Sequence, residues 1–431
     1  MAKTRRDFVI KTGLAAAGSI VLPVIIPSCA FGANDRITIG MIGTGDHGIN
    51  WNLAAYLKLD DCRVIAACDV DASRAGKAKA MIDGHYKNSD CLLYGDFREL
   101  LENSRIDAVQ ISTPDHWHVP IAVMAIMKKK DVCCEKPTLT IEQGRFLSDL
   151  VSGSDRIFQT SLEDRSVKQY HRMAELVRNG RIGKLMRMRV GLPGAYSHLY
   201  SFNPDPAEQP VPEYLNYDMW LGPAPYAPYT PGRCHYNFRW IKDYSGGSLS
   251  DWGAHMIDNA QWMNGTENTG PVEVSGSGSA PAEGIYNAYD KFNLQYRYAN
   301  GVSMEVHSDF VEIYCEGTEG WLLIKDWRGK VEASSDEILN SVITENDLHL
   351  YTDESEHVNF LKCIRSGKPA YHPVEHLHRT STIAHIGNIC MNLGRPLKWD
   401  PGKEEFPGDD QANAMRTRAE REKWSMKNLL S

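Results

Sequence analysis

The stretch from Arg36 to Leu57, RITIGMIGTGDHGINWNLAAYL, sets an apolar run against a helical pattern with Gly43, Gly45 and Gly48 between them. A G-x-G-x-x-G run carries structural meaning only when it stands between strand and helix, as it does here. The first glycine permits a tight turn, the second lets a pyrophosphate approach the backbone, and the third lets helix and strand pack closely. The helix N-terminus offers its unpaired N–H groups to the phosphates, with Thr44, Asp46 and His47 in the same cradle. The next apolar run, CRVIAACD, ends in Asp69, 21 residues beyond Gly48. A carboxylate at that strand end accepts from both ribose hydroxyls of NAD and repels the 2′-phosphate of NADP. Arg74 works in the other direction, and Asp69 has an alternative use as a cap for the following helix. The expectation is NAD.

Strand and helix patterns keep alternating through FRELLENS, IDAVQISTPDHWHVPIAVMAIMKKK, DVCCEKPTLTIEQGRFLSDLV and RIFQTSLE. Such alternation implies a parallel sheet with helices on both faces. Ligands bind at the carboxyl ends of such strands, where Thr113, Pro114, His116, His118, Glu135 and Lys136 fall. His116 and His118 lack a recognisable third ligand nearby, so no metal is assigned. They read instead as a helix cap at His118, with Trp117 packed on the nicotinamide side. His376 and His378, in HPVEHLHRT, point apart on a helix and are assigned no metal either.

A second feature is GGSLSDWGAHMID at 246–258. On a helix, Asp251, His255 and Asp258 share one face. Two carboxylates and an imidazole build a poor core, so this face could cap, pair, ligate a metal or move protons, and the rest of the sequence must decide. An acidic first turn favoured by the helix dipole explains Asp251 but not His255.

Residues 1–33 read as a secretory signal: a basic start, the short apolar run GLAAAGSIVLPVII and a small-residue exit. Arg5-Arg6 with Phe8 resembles the twin-arginine motif, which exports folded proteins, and IPSC resembles a lipobox that would lipidate Cys29. Without residues 1–29, which carry four basic groups and one acid, the formal charge moves from −8 to −11. An acidic chain without a basic tract is a poor nucleic-acid partner. Ten cysteines without a CxxC pair read as buried thiols rather than a disulfide scaffold. Roughly 400 remaining residues suggest two domains.

Taken together, GMIGTGDHG, Asp69, STPDHWHVPIA, CEKP and GGSLSDWGAHMID resemble the glucose–fructose oxidoreductase and inositol dehydrogenase family, the Gfo/Idh/MocA oxidoreductases. YANGVSMEV, CEGTEGWLLI, HVNFLKCIRSGKP and GNICMNLGRPLKWD extend the resemblance to the C-terminus. It implies an α/β fold: a Rossmann dinucleotide-binding domain over 34–163, then an α/β domain over 164–395 with a large, open, mainly antiparallel sheet, and a tail at 396–431. That sheet often serves oligomer contacts in the family, so a homo-oligomer is expected.

The resemblance also implies that Lys136, Asp251 and His255 surround a substrate carbon facing the nicotinamide. Hydride leaves a carbinol carbon only if its hydroxyl proton is removed by a base within hydrogen-bond reach, and histidine suits that near neutral pH. Asp251 would orient the His255 ring. Lys136 would polarise the carbonyl oxygen or, with a lowered pKa, act as the base. Asp258, Arg165 and Trp252 are assigned to substrate, Asp258 with a structural pairing as its alternative. Glu163 and Asp164 stand where relatives usually carry amides. The aromatic segment 214–240 could stack on sugar rings or simply pack.

An exported dehydrogenase meets no recycling pool of NAD(H), so the cofactor is expected to be loaded before transport and retained. Three functions remain open. They are sugar or glycoside oxidation with recycling in the site, redox-neutral glycoside hydrolysis, and a non-catalytic NAD-binding protein.

Overall fold

The computed structural model describes residues 36–194 and 206–431. The expected signal segment, with Arg5, Arg6 and Cys29, lies outside the described residues. The alternating apolar runs form six parallel strands, β1 (Ile37–Ile42), β2 (Cys62–Cys68), β3 (Leu92–Tyr94), β4 (Ala108–Ile111), β5 (Asp131–Glu135) and β6 (Phe158–Ser161), in the order β3-β2-β1-β4-β5-β6. Every residue of β4, β5 and β6 is buried, because helices cover both faces of a parallel sheet. The strand order reverses between β1 and β4, and the crevice beyond their carboxyl ends is where such sheets hold ligands.

Eight strands form the second sheet: β7 (Leu185–Gly191), β8 (Pro271–Ser279), β9 (Lys291–Tyr298), β10 (Ser303–His307), β11 (Glu312–Gly317), β12 (Trp321–Lys325), β13 (Val331–Ala333) and β14 (Leu397–Lys398). Their order is β13-β12-β11-β7-β10-β9-β8-β14. Only β7 and β10 run parallel; the other neighbours are antiparallel. In β9 the pattern alternates strictly, with Phe292, Leu294, Tyr296 and Tyr298 buried and Lys291, Asn293, Gln295 and Arg297 exposed. One face is therefore core and the other is solvated, as antiparallel sheets allow. The helices Gly253–Asn264 and Val374–Leu393 supply Met256, Ile257, Ile383 and Ile386 to that core, against Met188, Val190 and Leu294.

The aromatic segment after residue 206 is a strap laid back over the first sheet. Ala72 N–H donates to Tyr214 O at 2.8 Å, Asn216 N–H donates to Val70 O at 2.9 Å, and Asp71 and Leu215 form an antiparallel bridge. Its short helix Tyr217–Leu221 is capped by the Asn216 side chain. Gly222 has φ +51°, and a Cβ there would lie 2.3 Å from the Trp117 indole, so only glycine fits this close approach.

The chain beyond 395 is built into the fold. Leu397–Lys398 pairs with β8. Arg421 donates to Asp218 Oδ1 (2.6 Å), Asp218 O (2.6 Å) and Gly222 O (2.8 Å), which fastens the strap from its outer side. The nine described cysteines are all buried and unbridged. No helix among the described residues is long and apolar enough to cross a membrane.

Candidate active site

The glycine turn has the geometry that its spacing requires. Gly43 has φ +85°, and a Cβ there would lie 2.6 Å from Ser112 backbone atoms. A Cβ on Gly48 would lie 2.5 Å from Gly43 O, whereas one on Gly45 meets nothing closer than the Arg74 guanidinium at 3.1 Å. Two glycines are thus needed for backbone packing, and the third leaves the mouth of the crevice open. The helical segment Gly48–Leu53 that follows is wound as a π-helix before continuing as Ala54–Tyr56.

Asp69 closes β2 with its carboxylate toward the turn. Oδ2 accepts from Thr44 N–H (2.7 Å) and the Thr44 hydroxyl (3.1 Å), and Oδ1 accepts from Asp71 N–H (2.9 Å). The helix Ala72–Tyr86 is capped by Asp71, whose side chain accepts from Ser73 N–H and Arg74 N–H. The capping alternative for Asp69 therefore falls away.

A cleft of about 620 Å³ runs from this turn to the second domain, within the range of small-molecule sites. Gly43, Gly45, Asp46, His47, Gly48, Asp69, Thr113, Pro114, His118, Glu135, Lys136, Asp251, Trp252 and His255 all line it. So do Met219, Trp220, His235, Tyr236, Phe238 and Arg239 of the strap. The Thr113 hydroxyl is buried there without a partner among the described residues, an unmet donor that a polar ligand would satisfy. The open approach at Gly45, the Asp69 carboxylate and this orphan hydroxyl fit a dinucleotide.

His116 departs from expectation. It is fully buried outside the cleft lining, with Nε2 2.9 Å from Trp220 O, and burial pulls its pKa down to about 4. It seats the strap rather than the cofactor. His118 does not cap the next helix, because that helix already begins at Asp115. Its ring instead joins Thr113 O (2.8 Å) to Pro137 O (2.9 Å), which ties together the loops after β4 and β5. Trp117 donates its indole N–H to Met219 O at 2.9 Å and packs edge-on against Phe97 and Trp424.

The loop after β5 places two adjacent charges in different networks. Glu135 accepts from His47 Nε2 (3.0 Å) and Asn52 Nδ2 (2.8 Å). Lys136 Nζ donates to Asp251 Oδ1 at 2.7 Å, and Arg239 Nε reaches Asp251 Oδ2 at 3.1 Å. Burial by itself lowers an ammonium pKa, but the carboxylates of Asp251 and Glu135 outweigh it and hold Lys136 above its ordinary value. Burial would likewise raise the Asp251 carboxyl, yet Lys136 and Arg239 hold it well below the usual range.

The partner of His255 is not the expected one. Its Nδ1–H donates to Asp164 Oδ2 at 2.7 Å, and Asp164 is fully buried. Asp251, one turn back, is engaged by Lys136 and Arg239. Nothing local in the sequence points to this role for Asp164, since 91 residues separate the pair.

Asp258 and Arg165 are also reassigned. Both are fully buried outside the cleft lining, paired through Arg165 Nε–Asp258 Oδ2 and Nη2–Asp258 Oδ1, each 2.8 Å. His372 and Thr380 complete the carboxylate's shell. A buried charge requires such full pairing, which leaves neither residue free for substrate. Asp251 closes the short helix Ser248–Asp251, and His255 and Asp258 stand on the helix Gly253–Asn264 that follows Trp252, so the three meet Lys136, Asp164 and Arg165 from two successive helices.

Glu163, Asp164 and His255 bring ligand atoms within 4.8 Å of one another. The Arg328 guanidinium lies against both carboxylates, 3.5 Å from Asp164 Oδ1, and already supplies the positive charge.

A parallel sheet with a glycine turn, joined by a charged helix face to a second sheet, defines a two-domain NAD-binding oxidoreductase. The profile described as "Oxidoreductase family, NAD-binding Rossmann fold" matches residues 37–161, and "Oxidoreductase family, C-terminal alpha/beta domain" matches 166–426. The chain belongs to the Gfo/Idh/MocA oxidoreductase family. It is 26% identical over 306 residues to an inositol 2-dehydrogenase of Rubrobacter xylanophilus, covering 70% of this chain and 72% of that one. It is 28% identical over 178 residues to a glycosyl hydrolase family 109 protein of Shewanella, covering 40% of this chain and only 37% of that protein. A levoglucosan dehydrogenase solved with NADH and L-sorbose superposes with TM-score 0.62 at 18% identity, covering 84% of this chain and 99% of the other. An aldose–aldose oxidoreductase from Caulobacter crescentus gives 0.62 at 15%, covering 84% and 99%. At these identities the likeness is one of fold.

Proposed function

We propose that this protein oxidises a secondary alcohol of a sugar or glycoside, and that its NAD stays bound between turnovers. The observation that carries the reading is the pairing of His255 with buried Asp164 beside the Lys136–Asp251 pair, at the end of the cleft that begins at the glycine turn. NAD, when bound, supplies the acceptor for the hydride that leaves the carbinol carbon. Because Nδ1 of His255 is committed to Asp164, the other ring nitrogen is the one available to take the hydroxyl proton. Lys136, kept protonated by its carboxylates, donates a hydrogen bond to the oxygen as it becomes a carbonyl. The division of labour is thus histidine as base and lysine as electrostatic partner.

Retention of the nucleotide is supported by the strap, which is paired to residues 70–72 on one side and held by Arg421 on the other. It suits the export expected from the N-terminus, since an exported enzyme must work without a free NAD pool. Redox-neutral glycoside hydrolysis is a second reading, favoured by the partial match to family 109 proteins. It differs in releasing an aglycone with no net change in the cofactor.

His255→Asn is expected to abolish turnover while leaving nucleotide affinity unchanged. Asp164→Asn is expected to lower kcat by about 10²- to 10⁴-fold, the range for lost general-base assistance. Activity in H255N within a few-fold of wild type would remove the helix face from the mechanism.

A further inference from the structure

The turn between β12 and β13 is built at some cost. Asp326 and Arg328 both have φ +62°, a region that non-glycine residues avoid. Gly329 cannot carry a side chain, because a Cβ would lie 1.9 Å from Lys325 O. Strain of this kind persists only where surrounding contacts over-determine it, and it clusters at functional sites. Here the contacts are evident. Asp326 N–H donates to Val311 O at 3.0 Å, Arg328 N–H donates to the Tyr170 hydroxyl at 3.0 Å, and the Arg328 guanidinium pairs with Glu163 and Asp164.

The residue presented by this turn is Trp327. Its indole lines the cleft and remains 41% exposed. Trp252 meets it edge-on at 5.1 Å between centroids, and His255 lies 5.9 Å away. The Arg328 guanidinium covers the ring at 4.2 Å from its centroid. Gripped at an edge and covered by a cation, the indole still exposes ring surface beside the base. A rigid aromatic surface of that kind costs little ordering entropy and takes the C–H face of a sugar ring, not an open-chain polyol.

We propose that Trp327 is the platform on which a ring-form hexopyranoside stacks, and that Arg328 is its positioning residue. The proposal rests on the reading that the cleft takes a sugar, and it adds that the sugar is cyclic, with one face free of axial hydroxyls.

The test is calorimetric titration of the nucleotide-loaded full chain with methyl β-D-glucopyranoside and with sorbitol. Trp327→Ala is expected to weaken glucoside binding about five- to tenfold, the scale of one aromatic contact, without changing sorbitol or NAD affinity. Trp327→Phe, which keeps a ring, is expected to stay within about threefold of wild type on the same scale. Arg328→Met is expected to weaken the glucoside in the wild-type background but not further in Trp327→Ala, as a residue acting through another must. Equal losses for glucoside and sorbitol, a loss of NAD affinity, or wild-type glucoside binding in Trp327→Ala would each overturn the platform. Reduction of NAD on adding the glucoside, followed separately by absorbance, tests the oxidoreductase reading. A chain that binds through Trp327 but transfers no hydride would refute that reading and keep the platform.

Discussion

Two carboxylates near the helix 253–264 illustrate how burial decides a residue's role. Asp164 and Asp258 are equally buried, yet one serves an imidazole open to the cleft and the other a guanidinium sealed from it. Spacing in sequence could place Asp251, His255 and Asp258 on one face because i, i+4 and i+7 relations are local. It could not reveal that Asp164 and Arg165, adjacent in the chain, divide between two members of that face. Such contacts, 91 and 93 residues apart, depend on how the segment just after β6 packs against the helix 253–264. Burial would raise the Asp258 carboxyl, but Arg165 and His372 hold it well below the usual range. A depressed folded pKa means that the stability it contributes is present above the unfolded value, near 4, and is lost as pH falls further. Asp258→Asn is therefore expected to cost about 3–5 kcal/mol at pH 7, by leaving Arg165 unpaired. The gap to wild type should narrow below pH 4 in denaturant melts. A substrate role would instead raise KM with stability intact.

Among the elements, the strap was the hardest to read. Its sequence is rich in proline and aromatic residues, without the period of helix or strand, so composition left sugar stacking and simple packing equally open. The structure shows the packing, and it also brings three of the rings to the cleft. Tyr217, Trp220, Tyr229, Phe238 and Tyr244 form a buried cluster of their own, while Trp220, Tyr236 and Phe238 also line the cleft. By contrast the glycine turn was legible at once, because three glycines at fixed offsets answer three steric demands that are entirely local. His116 is opaque in the sequence for the same reason as the strap: its partner, Trp220 O, lies 104 residues away. Arg421→Ala removes three hydrogen bonds that hold the strap. Nucleotide release followed by fluorescence is expected to quicken roughly tenfold, the scale of one or two charged hydrogen bonds. An unchanged release rate would mean that the strap does not limit escape.

At the scale of the molecule, two sheets divide the labour. The parallel sheet holds the nucleotide-binding turn, and the second sheet carries the helix face and the β12–β13 turn to the same cleft. Its exposed β9 face, with Lys291, Asn293, Gln295 and Arg297, is where we would look for contacts between copies. The dinucleotide domain was legible in its alternating β and α units, whereas the mainly antiparallel one was legible only through the family resemblance of its C-terminal segments. The Trp327 turn was not, because nothing in a five-residue loop announces which cleft it will reach. What we propose is a cleft that keeps its NAD and uses it on a sugar. It is tested most directly by purifying the chain without added nucleotide, denaturing it, and counting oxidised and reduced nicotinamide per chain, before and after methyl β-D-glucopyranoside is added. Close to one nicotinamide per chain is expected, with the oxidised share falling when the glucoside is present. An empty protein that binds NAD only weakly would contradict it.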